Sequence, residues 1–165
     1  MAQLQNGQKA PDFTLPTDNG DVTLSDLLEQ SESGVVLYFY PRAMTPGCTI
    51  EADDFESARD AFENAGYTIL GVSPDSLERL SRFRTKEALG FLLASDVDHA
   101  VLEEYGAWGE KTSFGKTTVG VIRSTLVIDK DGTVRMAKYE VKAKGHVQRI
   151  GKELGLNISV APGVE

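Results

Sequence analysis

Residues 34–49, which read GVVLYFYPRAMTPGCT, predict a buried strand that leads directly into a helix. The apolar run at 35–40 is short, is rich in β-branched and aromatic side chains, and lies between a Gly and a Pro, which is typical of a central strand. Thr45 is a favourable N-cap residue, and Pro46 suits the first helical position, where the missing N–H costs nothing. Apolar residues then recur at helical spacing up to Gly66, where we expect the helix to end.

The rest of the chain continues this alternation of strands and helices. The predicted elements are an N-terminal hairpin over 13–24 with its turn at 18–20, strands at 67–73, 91–95 and 119–128, helices at 75–89, 96–105 and 146–154, and a strand at 134–141 that follows a hairpin turn at 131–132. Strands that alternate with helices favour a mostly parallel sheet, to which hairpins add antiparallel strands. We therefore predict an α/β fold with a mixed central sheet flanked by helices on both faces, as in thioredoxin-like folds. The element order alone also allows a small flavodoxin-like domain.

The composition is that of one globular domain. The length of 165 residues is close to the ~100–150 residues of ordinary domains. The hydrophobic fraction of 41% is sufficient for a folded core. We expect a single domain over residues 1–157 and a poorly ordered tail over 158–165. The net charge of −8 disfavours binding to nucleic acid or to anionic membranes. The sequence has no apolar run near the ~18 residues of a membrane span and no secretory signal at its start, so we expect a cytoplasmic protein.

Cys48 is the only cysteine of the chain and falls in the first turn of the predicted helix. Free backbone N–H groups and the helix dipole favour negative charge there, and thiolate is the nucleophilic form of cysteine, so the position is typical of a reactive thiol. A lone cysteine is more often an inert core residue, but the Thr, Pro and Gly before Cys48 are poor core neighbours. An internal disulfide is impossible, and the scattered positions of Cys48, His99 and His146 show no spacing typical of a zinc site, so no metal is implied.

Cys48 closes a motif, Pro41-x-x-x-Thr45-x-x-Cys48, that resembles the active-site signature of peroxiredoxins. The longer string at 39–52 is similar to that of the bacterioferritin comigratory protein, or Q-type, branch of that family. Four further segments resemble family segments and occur in family order, at 10–16, 71–75, 105–111 and 123–129. The resemblance covers residues 8–156 and implies a thioredoxin-like fold and a thiol-dependent peroxidase.

The resemblance also implies a role for each residue of the motif. Cys48 is expected to attack one peroxide oxygen and to become a sulfenic acid. The Thr45 hydroxyl and the N–H groups of Gly47 and Cys48 are expected to bind the peroxide. Arg123 is expected to hold the thiolate and to stabilise charge as the O–O bond breaks. Pro41 is expected to shield the thiolate from water. The implied substrates are hydrogen peroxide and organic hydroperoxides, with no metal, haem or flavin.

The residues themselves also allow simpler roles. Thr45 is equally consistent with an N-cap only, and Pro41 with the end of a strand. Arg123 is also consistent with the exposed face of an ordinary half-buried strand. Glu51 and Arg42 are consistent with residues that support the site, but the interpretation as solvated surface charges is favoured for both.

The chain departs from the Q-type pattern at the resolving cysteine. Many members carry it five residues after the first cysteine, where this chain has Asp53, and others carry it in the next helix, at 75–89, which has no Cys here. The resemblance therefore implies a one-cysteine mechanism in which an external thiol reduces the sulfenic acid, and we expect no catalytic role for Asp53. The expected partner is thioredoxin, or a low-molecular-weight thiol with a glutaredoxin-like protein. We expect a monomer or a homodimer.

A second class of function stays open at this point. The chain is also consistent with a thioredoxin-fold redox sensor or interaction protein in which oxidation of Cys48 changes a binding surface without turnover. A thiol–disulfide oxidoreductase is disfavoured, because Thr45 occupies the place of the first cysteine in a Cys-x-x-Cys pair. Turnover with a reducing system distinguishes an enzyme from a sensor.

Overall fold

The predicted unit of buried strand and helix forms and sets the frame of the molecule. The computed structural model describes residues 3–158, and of Ser113 the backbone alone. The elements in chain order are β1 (Thr14–Thr17), β2 (Gly20–Thr23), α1 (Leu24–Gln30), β3 (Gly34–Phe39), α2 (Pro46–Asn64), β4 (Tyr67–Ser73), α3 (Leu77–Glu87), β5 (Leu92–Ser95), α4 (Ala100–Glu104), β6 (Trp108–Ser113), β7 (Lys116–Val121), β8 (Ser124–Asp129), β9 (Val134–Lys138) and α5 (His146–Glu153).

Among the described residues, β3 lies inside a sheet of seven strands in the order β2-β1-β5-β4-β3-β8-β9. β3 is parallel to β4 and antiparallel to β8, and β5 is parallel to β4. The remaining pairs of this sheet, β1–β2, β1–β5 and β8–β9, are antiparallel. The predicted mixed sheet is confirmed, and the antiparallel β8 beside β3 excludes the all-parallel flavodoxin-like alternative.

The side chains of β3 alternate between two apolar cores. Val35, Leu37 and Phe39 enter a first core that includes side chains of α1 and α4. Val36 and Tyr38 enter a second core that includes side chains of α2, α3 and α5. Because both faces of β3 are covered by helices, the strand is apolar throughout instead of alternating with polar residues. The predicted helices on both faces of the sheet are therefore confirmed.

One predicted strand is wrong, because the run at 119–128 is divided at Ile122 and Arg123. β8 begins at Ser124, which pairs with Phe39 at the end of β3, so β3 offers no partner to the residues that precede it. β7 pairs instead with β6, in a separate sheet of two strands. The division places Arg123 in a short link between two sheets.

The β6–β7 hairpin is missing from the predicted elements. Its turn is formed by Phe114 and Gly115, with φ angles of 52° and 77°. A two-residue hairpin turn of this kind needs left-handed backbone at both positions, which Gly adopts readily and Phe rarely. Phe-Gly is therefore a weak turn signal, unlike the Asp-Gly at 131–132.

The C-terminal segment folds back onto the second core. Leu156 and Ile158 are partly buried against it, so the first residue of the predicted tail packs on the domain. The rest of that predicted tail, residues 159–165, lies outside the described residues. None of the helices within residues 3–158 combines the length and the apolar character needed to cross a membrane.

Candidate active site

Cys48 lies in the first turn of α2, just beyond the C-terminal end of β3. Thr45 occupies the N-cap position with extended backbone, at φ −92° and ψ 158°, and Pro46 is the first helical residue. Cys48 is therefore the third helical residue, as the sequence predicts. Only 1% of the residue is exposed, and its side chain belongs to the second core.

The first turn of α2 keeps backbone donors free beside the thiol. The first hydrogen bond of the helix runs from the N–H of Thr49 to the C=O of Thr45, at 2.9 Å. The N–H groups of Gly47 and Cys48 precede it and have no acceptor within the helix. Such groups carry partial positive charge and suit an anion or a peroxide oxygen. Gly at position 47 also leaves room for Arg123, because a Cβ there would lie 3.2 Å from Nη2.

The Thr45 side chain does not cap the helix. Its hydroxyl donates to the C=O of Arg42 at 2.7 Å, and it makes no side-chain cap bond within the described structure. With the proton directed at Arg42, the lone pairs of Oγ1 are available to accept a hydrogen bond from a hydroperoxide. The interpretation of Thr45 as an N-cap only is therefore wrong for its side chain. Arg42 itself is exposed, as predicted.

Arg123 joins Cys48 to a buried carboxyl group. Its Nη2 donates to Cys48 Sγ at 3.5 Å, and its Nη1 donates to Glu51 Oε1 at 2.6 Å. The Arg123 side chain is 17% exposed and that of Glu51 is 0% exposed. The interpretation of Arg123 as an exposed strand residue is wrong, and so is that of Glu51 as a surface charge. Glu51 follows Cys48 by one helical turn, so both face the guanidinium.

The pKa of the Glu51 carboxyl group lies close to neutral pH. Burial raises its pKa to about 7, and the charge and hydrogen bond of Arg123 oppose that rise. Its second oxygen, Oε2, has no hydrogen-bond partner among the described residues. Burial lowers the pKa of Arg123, but Glu51 and Cys48 together raise it, and the net effect is a pKa above the usual value. Arg123 is therefore a permanent cation beside the thiol.

A pocket with a volume of about 310 Å³ adjoins Arg123. It lies between the β6–β7 hairpin and the segment that follows β9, and its lining includes Pro41, Lys111, Ile122 and Val141. Pro41 is half-buried in this wall, a position consistent with its expected role as a shield of the thiol. Lys111 was not among the predicted site residues. It reaches the pocket from the unpredicted hairpin, where its Nζ donates to a backbone carbonyl at 2.9 Å.

Asp53 lies farther along α2 and belongs to a different cluster. Partial burial, and then a hydrogen bond and charge from Glu87 of α3, raise the pKa of Asp53 to about 7. The two carboxyl groups thus connect α2 with α3 away from the thiol. Within residues 3–158 there is also no group of three or more His, Cys, Asp or Glu side chains that could hold a metal ion.

The chain is similar to known proteins in both sequence and structure. A family model described as the AhpC/TSA family matches residues 6–137. Peroxiredoxin Bcp of Escherichia coli K12 is 44% identical over 147 residues, which are 88% of this chain and 92% of that protein. The solved bacterioferritin comigratory protein of Xanthomonas campestris superposes with a TM-score of 0.79 at 35% identity, covering 87% of this chain and 90% of that one. A mutant of PrxQ from Xylella fastidiosa superposes with a TM-score of 0.84 at 30% identity, covering 94% and 98% of the two chains.

Proposed function

Since the chain belongs to the AhpC/TSA family and is a peroxiredoxin of the Bcp, or Q-type, branch, we propose that Cys48 is its peroxidatic cysteine. Proteins of this family are thiol-dependent peroxidases, and the chain is one of them. The observation that carries the assignment of Cys48 is the guanidinium of Arg123, 3.5 Å from Sγ and 2.6 Å from the carboxyl of Glu51. It places a fixed cation beside the only thiol of the chain.

In the first half of the reaction, the Cys48 thiolate attacks one oxygen of the peroxide. The S–O bond forms as the O–O bond breaks, so sulfur is oxidised to sulfenic acid and the second oxygen leaves as an alcohol or water after taking up a proton. Thr45 Oγ1 accepts a hydrogen bond from the hydroperoxide and thereby orients it. This contact uses the lone pairs that the bond to Arg42 leaves free.

Negative charge that develops on the two peroxide oxygens is stabilised by hydrogen-bond donors that already surround the thiol. The N–H groups of Gly47 and Cys48 and the guanidinium of Arg123 surround the thiol, and the buried Glu51 keeps the guanidinium from turning away. Such preorganised donors favour the transition state over the bound peroxide, because they act most strongly where charge appears. Pro41 excludes water from one side of this site.

Organic hydroperoxides are proposed substrates in addition to hydrogen peroxide. The Xanthomonas campestris relative has alkyl peroxide reduction activity. In this chain, the pocket of about 310 Å³ beside Arg123 offers space for the organic group of such a substrate. Ile122, Val121 and Val141 provide apolar surface in its lining.

The second half of the reaction needs a thiol from another molecule, because the chain has one cysteine. That thiol attacks the sulfur of the sulfenic acid, releases water and forms a mixed disulfide, which a second thiol reduces to regenerate Cys48. The proposed reductants are thioredoxin, or a low-molecular-weight thiol with a glutaredoxin-like protein. Because Cys48 is 1% exposed, the first turn of α2 must open before a protein thiol reaches it.

The test is the second-order rate constant of the reduced protein with hydrogen peroxide, followed by Trp108 fluorescence and by loss of titratable thiol. We expect a rate constant orders of magnitude above that of free cysteine in the native chain and no reaction in Cys48→Ser. A native rate constant close to that of free cysteine overturns the proposal. Rapid oxidation without turnover, with both reductant systems supplied, identifies a redox sensor instead.

A further inference from the structure

The loop between β3 and α2 carries backbone strain just before Thr45. Met44 has a φ of 67°, in the left-handed region that residues with a Cβ seldom adopt. A conformation of this kind persists where neighbouring contacts hold it in place, and it is common at functional sites. The contacts that hold this loop come from the residue segment just after β4 and from α3, the helix that follows it.

Two side chains hold both backbone groups of Ala43, the residue before Met44. The N–H of Ala43 donates to Asp75 Oδ2 at 2.8 Å, and its C=O accepts a hydrogen bond from Arg79 Nη2 at 2.6 Å. Arg79 also lies with Nε 3.1 Å from Asp75 Oδ1, so the two side chains are paired with each other. We call this pair, Asp75 and Arg79, the Ala43 clamp.

Asp75 of the clamp is also bonded to the ends of two paired strands of the sheet. Asp75 Oδ2 accepts a second hydrogen bond, from the Ser73 hydroxyl at 2.7 Å, and the backbone C=O of Asp75 accepts one from the Ser95 hydroxyl at 2.5 Å. Ser73 and Ser95 are paired residues at the ends of the parallel strands β4 and β5. These two bonds hold Asp75 in place independently of its bond to Ala43.

From this geometry we propose that Asp75 and Arg79 are positioning residues for the peroxidase reaction. They hold the strained loop so that the Thr45 hydroxyl and the free N–H groups of Gly47 and Cys48 stand where the peroxide binds. This inference rests on the proposed function of Cys48. Neither residue of the clamp is bonded to the thiol or to Arg123 among the described residues, so the contact of Arg123 with Cys48 does not depend on the clamp directly. The clamp therefore acts mainly on the alignment of the peroxide.

Arg79→Ala is the first variant, because Arg79 is 28% exposed and its removal leaves Asp75 bonded to Ala43 and Ser73. Arg79→Lys keeps the charge but replaces the guanidinium fork with a single ammonium group, which cannot serve Asp75 and the Ala43 carbonyl in the same way. The matched control is Arg82→Ala, which removes an exposed arginine of α3 that pairs only with Glu78 among the described residues.

Each variant is measured in three ways: the rate constant of Cys48 with hydrogen peroxide, its rate constant with iodoacetamide, and the free energy of unfolding in urea. Alkylation needs a reactive and accessible thiolate but no alignment of a peroxide. We expect Arg79→Ala to lose about tenfold to hundredfold in the peroxide rate constant, since small misplacements of reacting groups have effects of that size. Its alkylation rate constant stays at or above the native value, and the protein stays folded under the assay conditions. The peroxide rate constant of Arg79→Lys lies between those of Arg79→Ala and the native chain, and all three measurements on Arg82→Ala match the native chain.

The proposal is overturned if the peroxide rate constant of Arg79→Ala is native-like, or if both rate constants fall together. A variant that is partly unfolded in the assay is replaced by Asp75→Asn, which keeps an oxygen to accept from Ala43 and loses the charge pairing with Arg79, and the same comparison of the two rate constants decides. The native chain separates this proposal from the assignment of Cys48: a native peroxide rate constant near that of free cysteine contradicts that assignment, whatever the clamp variants do.

Discussion

Arg123 donates a hydrogen bond to Glu51 at 2.6 Å, although its own link between β7 and β8 is far from Glu51 in sequence. The carboxyl group is fully buried, and the Arg123 side chain is 17% exposed. The second arm of the same guanidinium donates to Cys48 at 3.5 Å. One planar group thus spans a thiol and a carboxyl that are one helical turn apart, which a lysine ammonium cannot do.

Replacement of Arg123 tests the donor that we place beside the breaking O–O bond. We expect Arg123→Lys to lower the rate constant with hydrogen peroxide by about 10²–10³-fold, because one preorganised donor of this kind is worth that much. Stopped-flow fluorescence measures the rate constant. Arg135→Ala, which removes an exposed arginine of β9, is the control and should react like the native chain. A rate constant for Arg123→Lys within a few-fold of native contradicts the assigned role.

Two variants of Thr45 separate substrate binding from helix capping. Thr45→Ser keeps the hydroxyl and should retain the native peroxide rate constant within a few-fold. Thr45→Val removes it and should lose about 10²-fold, as for other lost polar contacts to reacting atoms. Because the hydroxyl bonds to the Arg42 carbonyl and not to the helix, Thr45→Val should lower the free energy of unfolding in urea by about 1 kcal/mol through loss of that one hydrogen bond. An unchanged peroxide rate constant in Thr45→Val would contradict the role of the hydroxyl in binding the substrate.

The pKa of Glu51 predicts a specific pH dependence of activity. Burial raises that pKa to about 7, so Glu51 is largely neutral below this pH and ionised above it. The ionised form holds Arg123 more firmly, so the ratio of the native peroxide rate constant to that of Glu51→Gln should rise as pH increases through about 7. Any pH dependence that the two proteins have in common cancels in this ratio. A ratio that is constant with pH means that the charge of Glu51 does not act on the reaction.

His146 predicts how stability depends on pH. Its Nε2 lies 2.7 Å from the Thr125 hydroxyl, and burial is the main cause that lowers its pKa from 6.5 to about 4. Between these values the unfolded chain binds more protons than the folded chain, so the free energy of unfolding falls as pH decreases from 6.5 to about 4. The loss is on the order of 3 kcal/mol at the acidic end.

Urea unfolding over that pH range measures this contribution. His146→Gln should flatten the dependence, because Gln does not titrate in this range. Equal slopes in native chain and His146→Gln would show that another group causes the acid sensitivity.

Asp53 occupies the place of the resolving cysteine of many Q-type peroxiredoxins, and we predict that it has no part in the reaction. Asp53→Ala should keep the peroxide rate constant within a few-fold of native, because the carboxyl faces Glu87 of α3 and not Cys48. Cys48→Ser, measured beside it, marks the level of complete loss. A collapse of the Asp53→Ala rate toward that level would assign Asp53 to the site.

The local parts of the site could be predicted from the sequence. β3, the start of α2 and the position of Cys48 depend on residues that are adjacent in the chain, so apolar runs, an N-cap residue and a proline define them. The hairpin turns at 18–20 and 131–132 follow from the same kind of short-range signal.

The parts that depend on distant contacts could not be predicted. A glutamate on a helix is usually solvated, and the burial of Glu51 follows only from the approach of Arg123 across 72 residues of sequence. The division of the run at 119–128 depends on where β3 ends, and no residue within the run marks that point. The Ala43 clamp likewise joins the site to Asp75, just before α3, and to Arg79 within α3, through bonds that span 32 and 36 residues.

The depth of Cys48 has a kinetic consequence for recycling. Once sulfur carries its oxygen, a protein thiol can attack only molecules in which the first turn of α2 is open, and opening is a step within the chain. At low reductant concentration the rate of recycling rises in proportion to the reductant. At high concentration it levels off at the opening rate. With a protein as reductant, the maximum rate of the catalytic cycle is then set by the opening of the helix terminus, and a higher concentration of that protein does not raise it.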